Sequence, residues 1–217
     1  MIQKNIRGFS LLELLVVVSL VGIISAIGTP QFFKWKKDRE VRVAAEKVAQ
    51  VISGVNAQTK RGAYSLVKVL MSPSDNSNAL EITGEGMSKL NLTTFVRQSI
   101  YPKCESKTMD GFLEAKKLFD YKLDNISMNI SVGVICFSEN EKYYQKSSQF
   151  LNDPNYQIKL DNSEKLTSNY VIVCSYQDTK STDICDTANL KKPAYLISWS
   201  RFGNVMRFRW SGSEWTR

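Results

Sequence analysis

Few side chains in this sequence are equipped for chemistry, and the sharpest of them stands alone. Glu13 is the one ionisable residue in the apolar run from Gly8 to Pro30, GFSLLELLVVVSLVGIISAIGTP, which follows the short basic leader MIQKNIR. A carboxylate at membrane depth is costly unless it is paired or takes up a proton, so Glu13 demands a partner. A secretory signal places its small cleavage residue after the apolar core. Here the small residue, Gly8, comes before it. A cut after Gly8 leaves the apolar segment on the mature chain, with Phe9 as the new N-terminus and Glu13 one helical turn away.

Other candidate chemistry lies in the C-terminal half. Cys104, Cys136, Cys174 and Cys185 are the four cysteines, an even number that reads as two disulfides in an oxidising compartment. Three connectivities are open. The polar stretch between Cys174 and Cys185 favours a local loop closure, which leaves Cys104 for Cys136. Zinc is the competing use, but no C-x₂-C knuckle is present and the chain has no histidine. The same lack removes Ser-His-Asp and Cys-His catalysis, and neither a dinucleotide fingerprint nor a Walker A loop occurs. A non-enzymatic protein with no cofactor and no metal is therefore expected. Asp178, Asp183 and Asp186 offer oxygens for Ca²⁺, but their spacing fits no EF-hand, and a disulfide-closed polar loop is the simpler account.

The elements that must position these groups follow from periodicity. The apolar run continues past Pro30 into a helix whose Val41, Ala44, Ala45, Val48, Ile52 and Val55 share one face. Gly62 is the expected stop, with Lys60 and Arg61 favourably placed in the last turn. A helix from Phe9 to about Arg61 is roughly 80 Å long at 1.5 Å per residue. Pro30 removes a backbone hydrogen bond and should kink it, with Gly22 and Gly28 loosening the region. Between Ala63 and Asp124 the signals are mixed: a loop at 72–79, a short helix within 84–100 and another at 110–121. Strands are expected at 126–137, 169–176, 194–200 and 204–210, the last two joined as a hairpin by Arg201-Phe202-Gly203.

Gly8-Phe9-Ser10-Leu11-Leu12-Glu13-Leu14 resembles the processing site of type IV prepilins and type II secretion pseudopilins, and Pro30 falls where many pilins kink their helix. The resemblance covers about the first 55 residues. It implies cleavage between Gly8 and Phe9 by a membrane prepilin peptidase, methylation of the Phe9 amine, and pairing of Glu13 with the Phe9 amine of a neighbouring subunit during assembly. Opposite charges in a low-dielectric bundle attract strongly, and removing one strands the other. It further implies a single-pass protein of the bacterial inner membrane with a periplasmic C-terminal domain, later carried into an extracellular pilus. Its partners would be other pilins or pseudopilins, the peptidase and the inner-membrane assembly platform.

The expected architecture is α+β, the type IV pilin fold, with a long N-terminal helix packed on a C-terminal antiparallel sheet. Its parts are a cleaved leader (1–8), a transmembrane and filament-core segment (9–30), an amphipathic second half of the helix (31–62) and a globular domain (63–217). The expected role is a minor pilin of a type IV pilus, since the chain is longer than typical major pilins, with a type II secretion pseudopilin as the alternative. A third reading rests on the last strand. Alternation in NVMRFRW sends Met206, Phe208 and Trp210 to one face, expected to pack on the helix, and Val205, Arg207 and Arg209 to the other. Arg207 and Arg209, with Arg201, Lys191 and Lys192, would then form an exposed basic patch suited to DNA phosphates, in keeping with the formal charge of +8. Some minor pilins resembling the FimT and GspH group bind DNA through a C-terminal Gly-Arg-x-Arg motif. Here Gly203 is followed by Asn204-Val205-Met206-Arg207.

Overall fold

The computed structural model describes residues 10–74, 78–97, 115–139, 145–146, 169–179, 184–200 and 202–217. Two compact units divide the chain, Met1–Lys37 and Asp38–Arg217. One helix, α1 (Leu11–Lys60), runs through the first and opens the second, with Pro30 in its interior. Proline has no N–H for the Ala26 carbonyl one turn back, so the ladder lacks one rung there.

The second half of α1 is amphipathic in the expected register. All six residues of the apolar stripe are buried, and Val51, Asn56 and Thr59 join them. Its end is a Schellman motif. Gly62, at φ +72°, donates to the Thr59 carbonyl at 3.0 Å, and Ala63 to the Gln58 carbonyl at 3.2 Å. Glycine enters the left-handed region without a Cβ penalty, so the expected stop falls where the geometry needs it.

The stripe is covered by two antiparallel sheets rather than one. The first has the order β3-β2-β1-β5-β6, built from β1 (Leu66–Pro73), β2 (Ala79–Met87), β3 (Lys116–Asp124), β5 (Gly133–Ser138) and β6 (Gln145–Lys146). The second has the order β10-β9-β8-β7-β4, built from β4 (Ile126–Met128), β7 (Asn169–Ser175), β8 (Ala194–Trp199), β9 (Val205–Trp210) and β10 (Trp215–Thr216). Helix α2 (Lys89–Arg97) follows β2. Alternation sorts the side chains. Val67, Val69, Ile135, Phe137, Val171, Val173, Ile197 and Trp199 join Val41, Val48 and Ile52 of α1 in one core. Their neighbours in sequence turn outward into two further clusters, Leu66, Val134 and Cys136 on one sheet and Tyr170, Ile172, Leu196 and Phe208 on the other. Strands covered on both faces read as unbroken apolar runs, which is why β5, β7 and β8 are buried throughout.

Three expectations need correction. The helix expected at 110–121 is a strand from Lys116 onward, and residues 110–114 lie outside the described residues. Phe119, Tyr121 and Leu123 alternate against the core with period two, and cross-strand pairing with β2 outweighs the helix propensity of Glu, Ala and Lys. The expected strand at 126–137 splits into β4 and β5, which belong to different sheets. The loop expected at 72–79 loses Ser72 and Pro73 to β1 and Ala79 to β2.

Candidate functional site

Two places carry the residues singled out above. In the first unit, Gly8 and Phe9 lie outside the described residues, and α1 begins just after Ser10. Ser10 and Glu13 cap it reciprocally: the Glu13 N–H donates to Ser10 Oγ at 3.2 Å, and the Ser10 N–H to Glu13 Oε2 at 3.4 Å. This is the S-x-x-E capping box, which satisfies two donors that a helix start otherwise leaves open. The second contact is longer than an ordinary N–H···O bond, so the carboxylate is held loosely. Ser19 Oγ returns to the Leu15 carbonyl at 2.8 Å, which keeps that hydroxyl satisfied inside the apolar run.

The apolar run itself is uncovered. Leu11, Leu12, Ile24 and Ile27 are 69–82% exposed, and the most apolar window of α1 has mean hydropathy 2.5 with none of its residues buried. By length and composition this helix can cross a membrane.

In the second unit the β8–β9 hairpin is docked on α1. The Phe202 carbonyl accepts from Asn56 Nδ2 and from Lys60 Nζ, and Gly203 turns the chain at φ +80°. This docking decides the fate of the basic strand, and it inverts the expected faces. Arg207 Nη1 lies 3.1 Å from Glu46 Oε1, and Arg209 Nη2 lies 3.0 Å from Asp38 Oδ1, both acids being on α1. Val205, on the same face, packs on the helix core. The opposite face, with Phe208 and Trp210, meets Cys174, Cys185, Leu190 and Trp215 instead.

The physical reason is a second cover. Trp210 and Trp215 rings lie 5.1 Å apart, Trp210 Nε1 donates to the Leu190 carbonyl, and the Cys174–Cys185 disulfide closes over the same face. The large apolar side chains are thus buried away from α1, and the helix supplies carboxylates to the arginines. Met206 stays exposed. Lys191 and Lys192 are exposed in the segment before β8, and Arg201 lies outside the described residues.

Tyr195 completes the polar seam, its hydroxyl 3.5 Å from Asp38 Oδ1. Burial first, then the Asp38 charge, raises its pKa. An open groove of about 650 Å³ runs between α1 and β9, lined by Glu46, Gln50, Ser53, Gly54, Val205 and Arg207. Its two charged groups are already paired with one another.

Of the cysteines, Cys174 and Cys185 are bonded as expected, and Cys136 is also disulfide-bonded. Cys104, its expected partner, lies outside the described residues. Of the three aspartates weighed for Ca²⁺, Asp183 lies outside them too, and the Asp186 carboxylate accepts from Ala188 and Asn189 within its own turn. Sequence reasoning missed Asn56, Asp38 and Glu46. Asn56 on an otherwise apolar stripe was the available signal, since a polar side chain there needs a partner.

The geometry is that of a long apolar-to-amphipathic helix carrying antiparallel sheets, an α+β arrangement consistent with the pilin fold. Residues 3–29 match the prokaryotic N-terminal methylation motif, which marks a type IV prepilin-like protein. No curated protein and no solved structure matches the chain.

Proposed function

We propose that this protein is a minor pilin, a structural subunit of a type IV pilus that is cleaved after Gly8, methylated at Phe9 and assembled through α1. One observation carries the reading: α1 presents Leu11 to Ile27 with its large apolar side chains mostly exposed, and none of the described residues of the first unit covers them. Each such side chain gains about 1.5–3 kcal/mol when it leaves water, so the segment needs lipid before assembly and other subunits afterwards. The matched motif supports processing at its start.

Glu13 adds specificity to that transfer. Among the described residues its carboxylate meets the Ser10 N–H, at 3.4 Å. Exchanging that contact for a neighbour's Phe9 amine replaces a weak capping bond with an ion pair in low dielectric. The second unit, with its disulfides, is then the part displayed on the periplasmic side of the inner membrane and later on the filament.

Immunoblots of sheared filaments and of the membrane fraction test this directly. The native chain should appear in both, and Glu13→Ala in the membrane alone. Entry of Glu13→Ala into filaments at the native level would overturn the pairing. A chain absent from filaments but required for protein secretion would instead be a type II secretion pseudopilin.

A further inference from the structure

We propose that Phe32, Phe33, Lys34, Trp35, Lys36 and Lys37 form a collar that binds the anionic phospholipid headgroups at the periplasmic face of the inner membrane and so sets the depth of Glu13. The inference rests on the membrane-spanning reading of α1 and adds a lipid-binding surface to it.

Three observations carry the collar. The first is exposure: Phe32, Phe33 and Trp35 are 57%, 65% and 56% exposed, and Lys34 and Lys36 are exposed beside them. Phe32 meets both Phe33 and Trp35 at 6.1 Å, so the rings form one aromatic patch.

The second is angular distribution. At about 100° per residue, Phe32, Lys36, Phe33, Lys37, Lys34 and Trp35 follow one another around the axis with no gap wider than about 100°. A protein partner on one side selects an apolar stripe, as the second half of α1 shows at Val41, Val48 and Ile52. A ring that mixes aromatic and cationic groups suits a planar boundary, where rings sit at headgroup level and lysine stems reach outward to phosphate.

The third is distance. No ionisable residue lies between Glu13 and Lys34. Their separation along the helix is about 32 Å, close to the hydrocarbon thickness of about 30 Å. With the collar at one headgroup layer, Glu13 therefore reaches the opposite boundary, where a carboxylate keeps access to water and the processing site stays within reach of a peptidase at that surface. Lysines near an anionic leaflet add electrostatic attraction to this placement.

The test uses full-length protein reconstituted in phosphatidylcholine vesicles with and without phosphatidylglycerol. Trp35 is isolated as the difference between the native chain and Trp35→Phe. Its depth is read by quenching with lipids brominated at different chain positions, and its lipid preference by energy transfer to headgroup-labelled phosphatidylglycerol or phosphatidylcholine. Expected are strongest quenching by the shallowest bromines, preferential transfer to phosphatidylglycerol, and a several-fold loss of that preference in Lys34→Gln/Lys36→Gln/Lys37→Gln. Strongest quenching by the deepest bromines, or an unchanged preference in the triple variant, would overturn the collar while leaving the membrane span intact. Failure of the native protein to float with vesicles would overturn the span and the collar together.

Discussion

Replacing Gly203 by alanine tests the docking of the β8–β9 hairpin on α1. Two costs arise from distinct causes. At φ +80° an L-residue is strained, by about 1–2 kcal/mol. The new Cβ would also stand 2.0 Å from Asn56 Nδ2, 2.3 Å from its Cγ and 2.5 Å from its Cβ. Asn56 cannot simply swing aside, because its amide donates to the Phe202 carbonyl next to the substitution. Relieving the overlap breaks that bond or shifts the helix, a cost of about 1–3 kcal/mol as for other overpacked sites. The total is about 2–5 kcal/mol. A double-mutant cycle separates the two parts, since Asn56→Gly removes all three contacting atoms. In that background Gly203→Ala should cost only the backbone strain, about 1–2 kcal/mol. Urea unfolding of the full chain, followed by tryptophan fluorescence, to which Trp199, 1% exposed in the helix-facing core, contributes, gives the four stabilities. Equal costs of Gly203→Ala in both backgrounds would refute the reasoning, because the hairpin would then not rest on Asn56.

Loss of the Cys174–Cys185 bond, which spans a sequence separation of 11 residues, should lower stability, by about 2.8 kcal/mol on the chain-entropy estimate. Unfolding of Cys174→Ser/Cys185→Ser beside the native chain measures it. The Arg207–Glu46 and Arg209–Asp38 pairs retain solvent-exposed guanidinium groups, so Arg207→Ala and Arg209→Ala should each cost no more than about 1 kcal/mol, with coupling that fades in salt. Because both arginines already face carboxylates, retention on immobilised DNA should be no greater for the native chain than for the double variant. Tyr195 has a folded pKa above its ordinary 10.0, so the folded state holds its proton more tightly than the unfolded state. That contribution is complete below about pH 10 and is lost as pH rises through the folded value. The stability difference between the native chain and Tyr195→Phe should accordingly shrink above that pH, and a difference constant across alkaline pH would contradict the raised value.

How much was legible differs from element to element. The capping pattern Ser10-x-x-Glu13 is local, yet it went unread, because the apolar run around Glu13 pointed to a partner on another subunit. The stop at Gly62 and the β8–β9 hairpin were plain, since each rests on neighbouring residues. β3 was harder to read, since Lys116–Asp124 has helix formers at its start and declares itself a strand only through pairing with β2. The segment after Asn125 reads as one apolar stretch because both of its strands are buried, and nothing in such a run marks that β4 and β5 go to separate sheets.

By itself the sequence determined the processing motif, the apolar run with its single carboxylate, the amphipathic register of α1 and the α+β class. All depend on spacing within one segment, which fixes side-chain direction along a helix or strand without reference to anything distant. Tertiary structure alone decided which side of β9 faces the helix. Alternation separates Phe208 and Trp210 from Arg207 and Arg209, but it cannot say which set meets α1. That choice depended on Trp215 and the Cys174–Cys185 disulfide covering one face, and on Asp38 and Glu46, more than 160 residues away in sequence, meeting the other.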